Sequence, residues 1–172
     1  MQTEVHEIAR RLGLIVFFAV ACSSAHAAPC TPPAPVAAYL KAHPGWRILT
    51  LADLNHDQQT QWNDARKAFC PGMAEVAVDA GAEKSWALAL LDTNGSQEQL
   101  VLLHGGKPVT LEPPSQSTGV VVWRTPPGQY EDPATGKKIA IAHDSIMYEL
   151  FESATEQFYL VNGNVRRIEA GD

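Results

Sequence analysis

Beyond Gly72 the chain becomes a series of short apolar runs, each closed by a turn signal, and that cadence constrains the fold more than any other feature. Residues 74–78 alternate, and 86–91 form an apolar run of strand length. Asp92-Thr93-Asn94-Gly95-Ser96 is a strong turn signal, and 99–103 return as the hairpin partner. Gly105-Gly106 turns the chain into 109–111, a Pro/Ser-rich loop is expected over 113–117, and 120–123 resume. The last third reads as a meander: 138–142, then 146–151 after an Asp144-Ser145 turn, then 157–161 and 165–168 joined by Asn162-Gly163. That dipeptide suits a two-residue type I′ hairpin, in which both central residues take positive φ.

Ahead of this series the pattern is helical. Residues 28–35 are too rich in proline for regular structure, until a short helix begins near Pro35 and ends by His43-Pro44-Gly45. Residues 46–51 read as an edge strand or an extended approach. A second helix is expected from Asn55 or Asp57 to Ala68, with acidic and amide caps at its start and Trp62, Ala65, Ala68 and Phe69 on one face. Pro71-Gly72 stops it. Seven to nine short strands behind two helices predict an α+β fold, with two N-terminal helices packed on a mainly antiparallel twisted β-sheet or partial barrel.

Residues 1–27 have the three zones of a secretory signal peptide. Arg10 and Arg11 precede the apolar run 12–22, and Ala25-His26-Ala27 presents small residues for cleavage before Ala28. The run is about half of the ~20 residues needed to span a bilayer, so no transmembrane segment is expected in the mature form. A second route competes: Ala19-Val20-Ala21-Cys22 resembles a loose bacterial lipobox, in which Cys22 is acylated and anchors the chain to a membrane. Either route places the protein outside the cytoplasm, free in the periplasm, secreted or lipid-anchored. Removing residues 1–27 from the 172 leaves 145, enough for one α+β domain over 36–172 behind the proline-rich segment 28–35.

The cysteines agree with export. Of the three, Cys22 is removed or acylated, leaving Cys30 and Cys70 to pair as one disulfide in an oxidising compartment. Arg10 and Arg11 balance Glu4 and Glu7, so the net charge of −6 survives loss of the leader. That acidic balance argues against nucleic acid, which requires a basic footprint, and supplies no polybasic patch for anionic lipid.

Candidate chemistry is sparse. Asp53, Asn55 and Asp57 space oxygen donors as a calcium loop does, with Asp64 at the twelfth position, but Gln58 stands where such a loop needs glycine. A capped helix start is the simpler reading. Asp79-Ala80-Gly81-Ala82-Glu83-Lys84-Ser85 before Trp86-Ala87-Leu88 resembles the Asp-rich calcium turn of FG-GAP or VCBS-type repeats. The resemblance implies Asp79 and Glu83 as calcium donors; Ala80, Ala82 and Ser85 depart from it, and a structural turn is expected. No other cofactor is implied. His143-Asp144-Ser145 holds triad residue types, but neighbours in a turn cannot converge. His104-Gly105-Gly106 resembles part of an esterase oxyanion-hole motif and reads as a hairpin turn. His43, His56, His104 and His143 fall on separate expected loops without zinc spacing. Glu149, Glu152 and Glu156 read as a solvated face, and Trp46, Trp123, Tyr130, Tyr148 and Tyr159 as core or as an aromatic binding surface.

The order Gly45-Trp46-Arg47, Leu51-Ala52-Asp53-Leu54, Cys70-Pro71-Gly72, Glu152-Ser153-Ala154 and Gly163-Asn164-Val165-Arg166-Arg167-Ile168 is similar to a group of small bacterial exported proteins of unknown function. The likeness implies export and one domain, and no activity. The expected function is therefore a non-catalytic binding module of the periplasm or envelope, of inhibitor or immunity type, with a protein partner met at the hairpin tips Asn94-Gly95 and Asn162-Gly163. Two alternatives stand beside it: a calcium-stabilised structural domain, and a hydrolase with dispersed residues such as His143, Asp144 and Glu149.

Overall fold

The computed structural model describes residues 30–66, 69–81, 83–151 and 154–169; the expected leader and Cys22 lie outside them, as do Ala68 and Glu152. Helix α1 is Ala34–Ala42 and α2 is His56–Arg66, with a 3-10 turn at Leu51–Asp53 between them. The strands are β1 Trp46–Ile48, β2 Met73–Val76, β3 Ser85–Asp92, β4 Gln97–His104, β5 Lys107–Gln116, β6 Val120–Thr125, β7 Gly128–Asp132, β8 Lys137–Ile141, β9 Ser145–Leu150, β10 Ala154–Val161 and β11 Asn164–Glu169. Among the described residues no helix is long and apolar enough to cross a membrane.

The strands form two main sheets rather than one. A five-stranded sheet has the order β1-β3-β4-β5, with β2 sharing the β1 edge of β3, and a four-stranded sheet has the order β11-β10-β9-β6. A separate β7-β8 hairpin completes the set, and the sheets do not close into a barrel. Every pairing is antiparallel.

The continuous apolar run of β3 follows from burial on both faces. Leu88 and Leu90, with Val101 and Leu103 of β4, pack beneath Val36 of α1. Ala87, Ala89, Leu100 and Leu102 face the second sheet, where Val120, Val122, Ile146, Tyr148 and Phe158 meet them. Tyr148 and Phe158 lie edge to face, 6.3 Å between ring centres. Trp62 is the one large residue α2 contributes to this inner core, being 2% exposed.

Several expectations need correcting. Ala65 and Phe69 do not share the buried face of Trp62: Ala65 is exposed, and Phe69 stands beyond the helix at 61% exposure. The expected loop at 113–117 is instead mostly the end of β5. Two register shifts make this edge strand bulge, and Pro113 and Pro114 fall at one of them, without Cα partners on β4, where a missing N–H interrupts no ladder pair. Strand β7 has no apolar alternation to announce it. Asn162 and Gly163 do take φ of 50° and 76°, the pair of positive values the turn demands.

Two constraints fix the frame. Cys30 and Cys70 form a disulfide across 40 residues, fastening the chain ahead of α1 to the approach of β2. Gly72 follows, where an added Cβ would lie 2.2 Å from the Leu49 carbonyl oxygen, so no other residue lets β1 and β2 abut along one edge of β3. Glu98, 1% exposed, then secures the passage from one sheet to the other. Its carboxylate accepts the Thr118 hydroxyl at 2.8 Å, the Thr118 and Gly119 amides at 3.0 and 3.2 Å, and the Ser117 hydroxyl at 3.2 Å.

Replacing Cys30 and Cys70 by serine is expected to cost about 3–4 kcal/mol from the loop length alone, read as a lowered melting temperature that reductant reproduces in the parent chain. Glu98→Gln turns an amide NH₂ toward backbone donors and should cost about 2–3 kcal/mol in urea unfolding. A Glu98→Gln midpoint equal to the parent's would show that the crossover does not depend on the carboxylate.

Candidate functional site

The β3-β4 hairpin brings together residues far apart in sequence. Trp86 pairs with Leu103, so Ser85 stands across from His104 at the open end of the hairpin. The Ser85 hydroxyl lies 2.8 Å from His104 Nδ1, and Asp79 Oδ2 lies 3.2 Å from His104 Nε2. A neutral ring that donates from Nε2 to Asp79 and accepts at Nδ1 satisfies all three groups. Sequence reading missed this line, although counting outward from the Asp92–Gln97 turn places Ser85 opposite His104.

The line has the polarity of a nucleophile–base–orienter triad but not its access. Ser85 is 1% exposed, paired with Val76 of β2, and turned toward the space between the sheets. A cleft beside it, lined by Glu83, Lys84, Trp86, Gly105 and Gly106 among others, does not reach the hydroxyl. Nucleophilic attack needs a reacting carbonyl about 3 Å from that oxygen. What the three residues do is fasten Asp79 to the ends of β3 and β4.

The other sequence candidates are occupied in structural roles. Asp53 takes a two-pronged hydrogen bond from Arg47, 2.7 Å on each side, and further bonds from the Thr50 amide and hydroxyl, both 2.8 Å. The Arg47 bonds outweigh burial and hold the Asp53 carboxyl down at about 2. Asn55 caps α2 reciprocally with Gln58, amide to side chain at 3.0 and 2.9 Å, and Asp57 stands in the first turn. Asp79 accepts the Gly81 amide at 2.9 Å within its own turn, while Glu83 lies beside Gly105. Among the described residues no three His, Cys, Asp or Glu side chains converge to hold a metal ion. Of the residues read as calcium donors, Asp53 and Asn55 thus hold the approach to α2, and Asp79 holds its own turn.

Asp144, 8% exposed, clamps β2: its carboxylate accepts the Ala77 amide at 2.9 Å and its own amide donates to the Ala77 carbonyl at 3.0 Å. His143 precedes it in the loop, and Glu149 lies on β9, partnered by Thr155 of β10 and Val121 of β6 in the ladder. Glu156 is engaged elsewhere. Arg167 of β11 reaches Glu156 and Glu112 of β5, each at 3.2 Å, joining the outer edges of the two sheets. Burial pushes the Glu156 carboxyl up despite Arg167. The aromatic residues do not form one surface: Tyr148 is buried, and burial also raises its phenol.

One aromatic does border an accessible feature. Where β2 passes β6, a groove of about 390 Å³ opens, lined by Phe69, Met73, Ala74, Glu75, Val122, Trp123 and Arg124. Trp62 and Trp123 lie 6.5 Å apart beneath it, and the Trp62 indole donates to the Phe69 carbonyl at 3.3 Å. That bond holds the Phe69 backbone while its ring points to solvent.

The fold and these sites define the class as a disulfide-linked, two-layer antiparallel β protein with α1 on its outer face. Set against family models, curated proteins and solved structures, the chain matches none.

Because Ser85 is sealed, a fluorophosphonate probe should leave the folded protein unlabelled while acylating a serine hydrolase run in parallel. Labelling that Ser85→Ala abolishes would establish a reactive serine.

Proposed function

We propose that the protein is an exported, non-catalytic binding module of the inhibitor or immunity kind, acting in the periplasm or at the envelope on a protein partner. The observation that carries this is Phe69, a large aromatic 61% exposed at the mouth of an apolar groove. Leaving a Phe ring in water forgoes about 1.5–3 kcal/mol of burial, an expense that a partner recovers. The leader-like sequence of residues 1–27 and the Cys30–Cys70 disulfide support the location. The chemically suggestive residues support the absence of catalysis, since Ser85 and Asp144 are both inside the fold and engaged.

The groove, rather than the hairpin tips alone, is where the partner is met. Asn94-Gly95 and Asn162-Gly163 are exposed turns with polar side chains, which suit a rim more than an anchoring centre.

A photo-crosslinking amino acid placed at position 69 in the full chain, expressed in its own host, should trap one abundant partner. The same group at Val109, on the far edge of the first sheet, should not. Recovery of the protein crosslinked to nothing from positions 69, 94 and 162 would overturn the assignment.

A further inference from the structure

We propose that the seam between β5 and β11 is a pH-sensitive latch, which tightens when Glu156 takes up a proton and loosens when it gives the proton up. The proposal goes beyond the binding-module reading and does not depend on it.

Strand register assembles the latch. On β10, Glu156 lies two residues from Phe158 and so shares its inward face, at the rim of the core. Tyr148 of β9 and Glu169 of β11 stand directly across from Glu156, and Arg167 stands across from Phe158. The opposite sheet brings Glu112 of β5 to the same guanidinium. Arg167 Nη1 lies 3.2 Å from Oε1 of both Glu112 and Glu156, and Nη2 lies 4.0 Å from Glu169. The groups facing Glu156 are therefore Arg167 and Glu169 from β11, Glu112 from β5 and the Tyr148 phenol from β9. Glu98 of β4 acts on that phenol from behind.

Three carboxylates thus share one guanidinium, and the cluster is net negative when all of them are ionised. Glu156 has the most buried side chain of the three, and its Oε2 is buried with no hydrogen-bond partner among the described residues. Ionised, that oxygen loses its water and gains no donor; protonated, the group has no charge to desolvate. Burial and the charges of Glu112 and Glu169 act in the same direction on the carboxyl, against Arg167. A carboxyl raised in the fold stabilises it most below the unfolded titration point. That stabilisation is lost as the pH climbs through the folded one. The loss falls on the seam, because Glu156 and Glu112 belong to different sheets and repel once both are charged.

The test follows the side-chain carboxyl carbons of the full chain by NMR, alongside urea unfolding and amide exchange between about pH 4 and 7. Glu156 should titrate above the exposed glutamates, and Glu112→Gln should bring its midpoint down. Near neutral pH, Glu156→Gln should unfold several-fold less readily than the parent, and the gap should close as the pH falls to about 4. Amides of β5 and β11, corrected for intrinsic rates, should exchange more slowly in the parent on acidification, and slowly at every pH in Glu156→Gln. Glu156 titrating with the exposed glutamates would overturn the latch. So would seam exchange that ignores pH while Glu156 titrates, because the proton would then leave the sheets unmoved. Should Glu156→Gln fail to fold, the parent and Glu112→Gln decide it: the pH at which the seam slows must move with the Glu156 midpoint.

Discussion

The fold depends on a carboxylate where an apolar side chain might be expected. Glu98 continues the inward-facing row of Leu100 and Leu102, and burying its charge carries a desolvation penalty of several kcal/mol. The compensation is local. The chain leaves β5 and turns abruptly into β6, and the amides of Thr118 and Gly119 point inward, where they would otherwise be stranded. One carboxylate gathers them with two hydroxyls, and charge-assisted bonds of this kind are roughly twice as strong as neutral ones. That anchor holds the point where the chain passes from the first sheet to the second. Gln58 of α2 adds its amide to the Thr118 carbonyl at 3.1 Å, so the same turn also positions the helix that carries Trp62.

From this anchor the two sheets meet along two seams of different kinds. At the β5-β11 seam, side chains close the gap: Arg167 holds Glu112 of one sheet and Glu156 of the other. Glu156 Oε2 nonetheless stays buried without a hydrogen-bond partner, which accords with the upward push on its carboxyl. At the β2-β6 seam the Val122 amide meets the Pro71 carbonyl, and Ala77 is held by the amide and carboxylate of Asp144 ahead of β9. The disulfide and Gly72 stand just ahead of the first tie, so the covalent constraint and the tightest backbone approach both brace the rim of the open gap.

What was legible in the sequence is what is local. Each hairpin with a turn dipeptide could be read, because Gly95 and the Asn162-Gly163 pair need backbone conformations few residues accept. The helix start at Asn55 was readable because its side chain accepts the Gln58 amide as a cap. The division into two sheets was not, since nothing near Val120 says that it pairs with Leu150 rather than with β5. Strand β7 escaped notice because Gly-Gln-Tyr-Glu-Asp has no apolar period; its pairing with β8 sets Glu131 against Lys138 and Asp132 against Lys137. The Ser85-His104-Asp79 line was half legible, as the hairpin register fixes the first pair but nothing local announces the approach of Asp79 to His104.

Residue type and accessibility point to opposite parts of this molecule. The residues with the most suggestive chemistry, Ser85, Asp144 and Glu98, are each at most 8% exposed and spend their hydrogen bonds on holding strands together. The groove is lined instead by an aromatic ring, apolar walls and two charged side chains, Glu75 held by Lys84 and Arg124 near Asp144. Stability alone does not require Phe69 to face water, because α2 already supplies Trp62 to the core. An exposed ring at the mouth of an apolar groove is a liability in isolation, and covering it would return the burial free energy it forgoes.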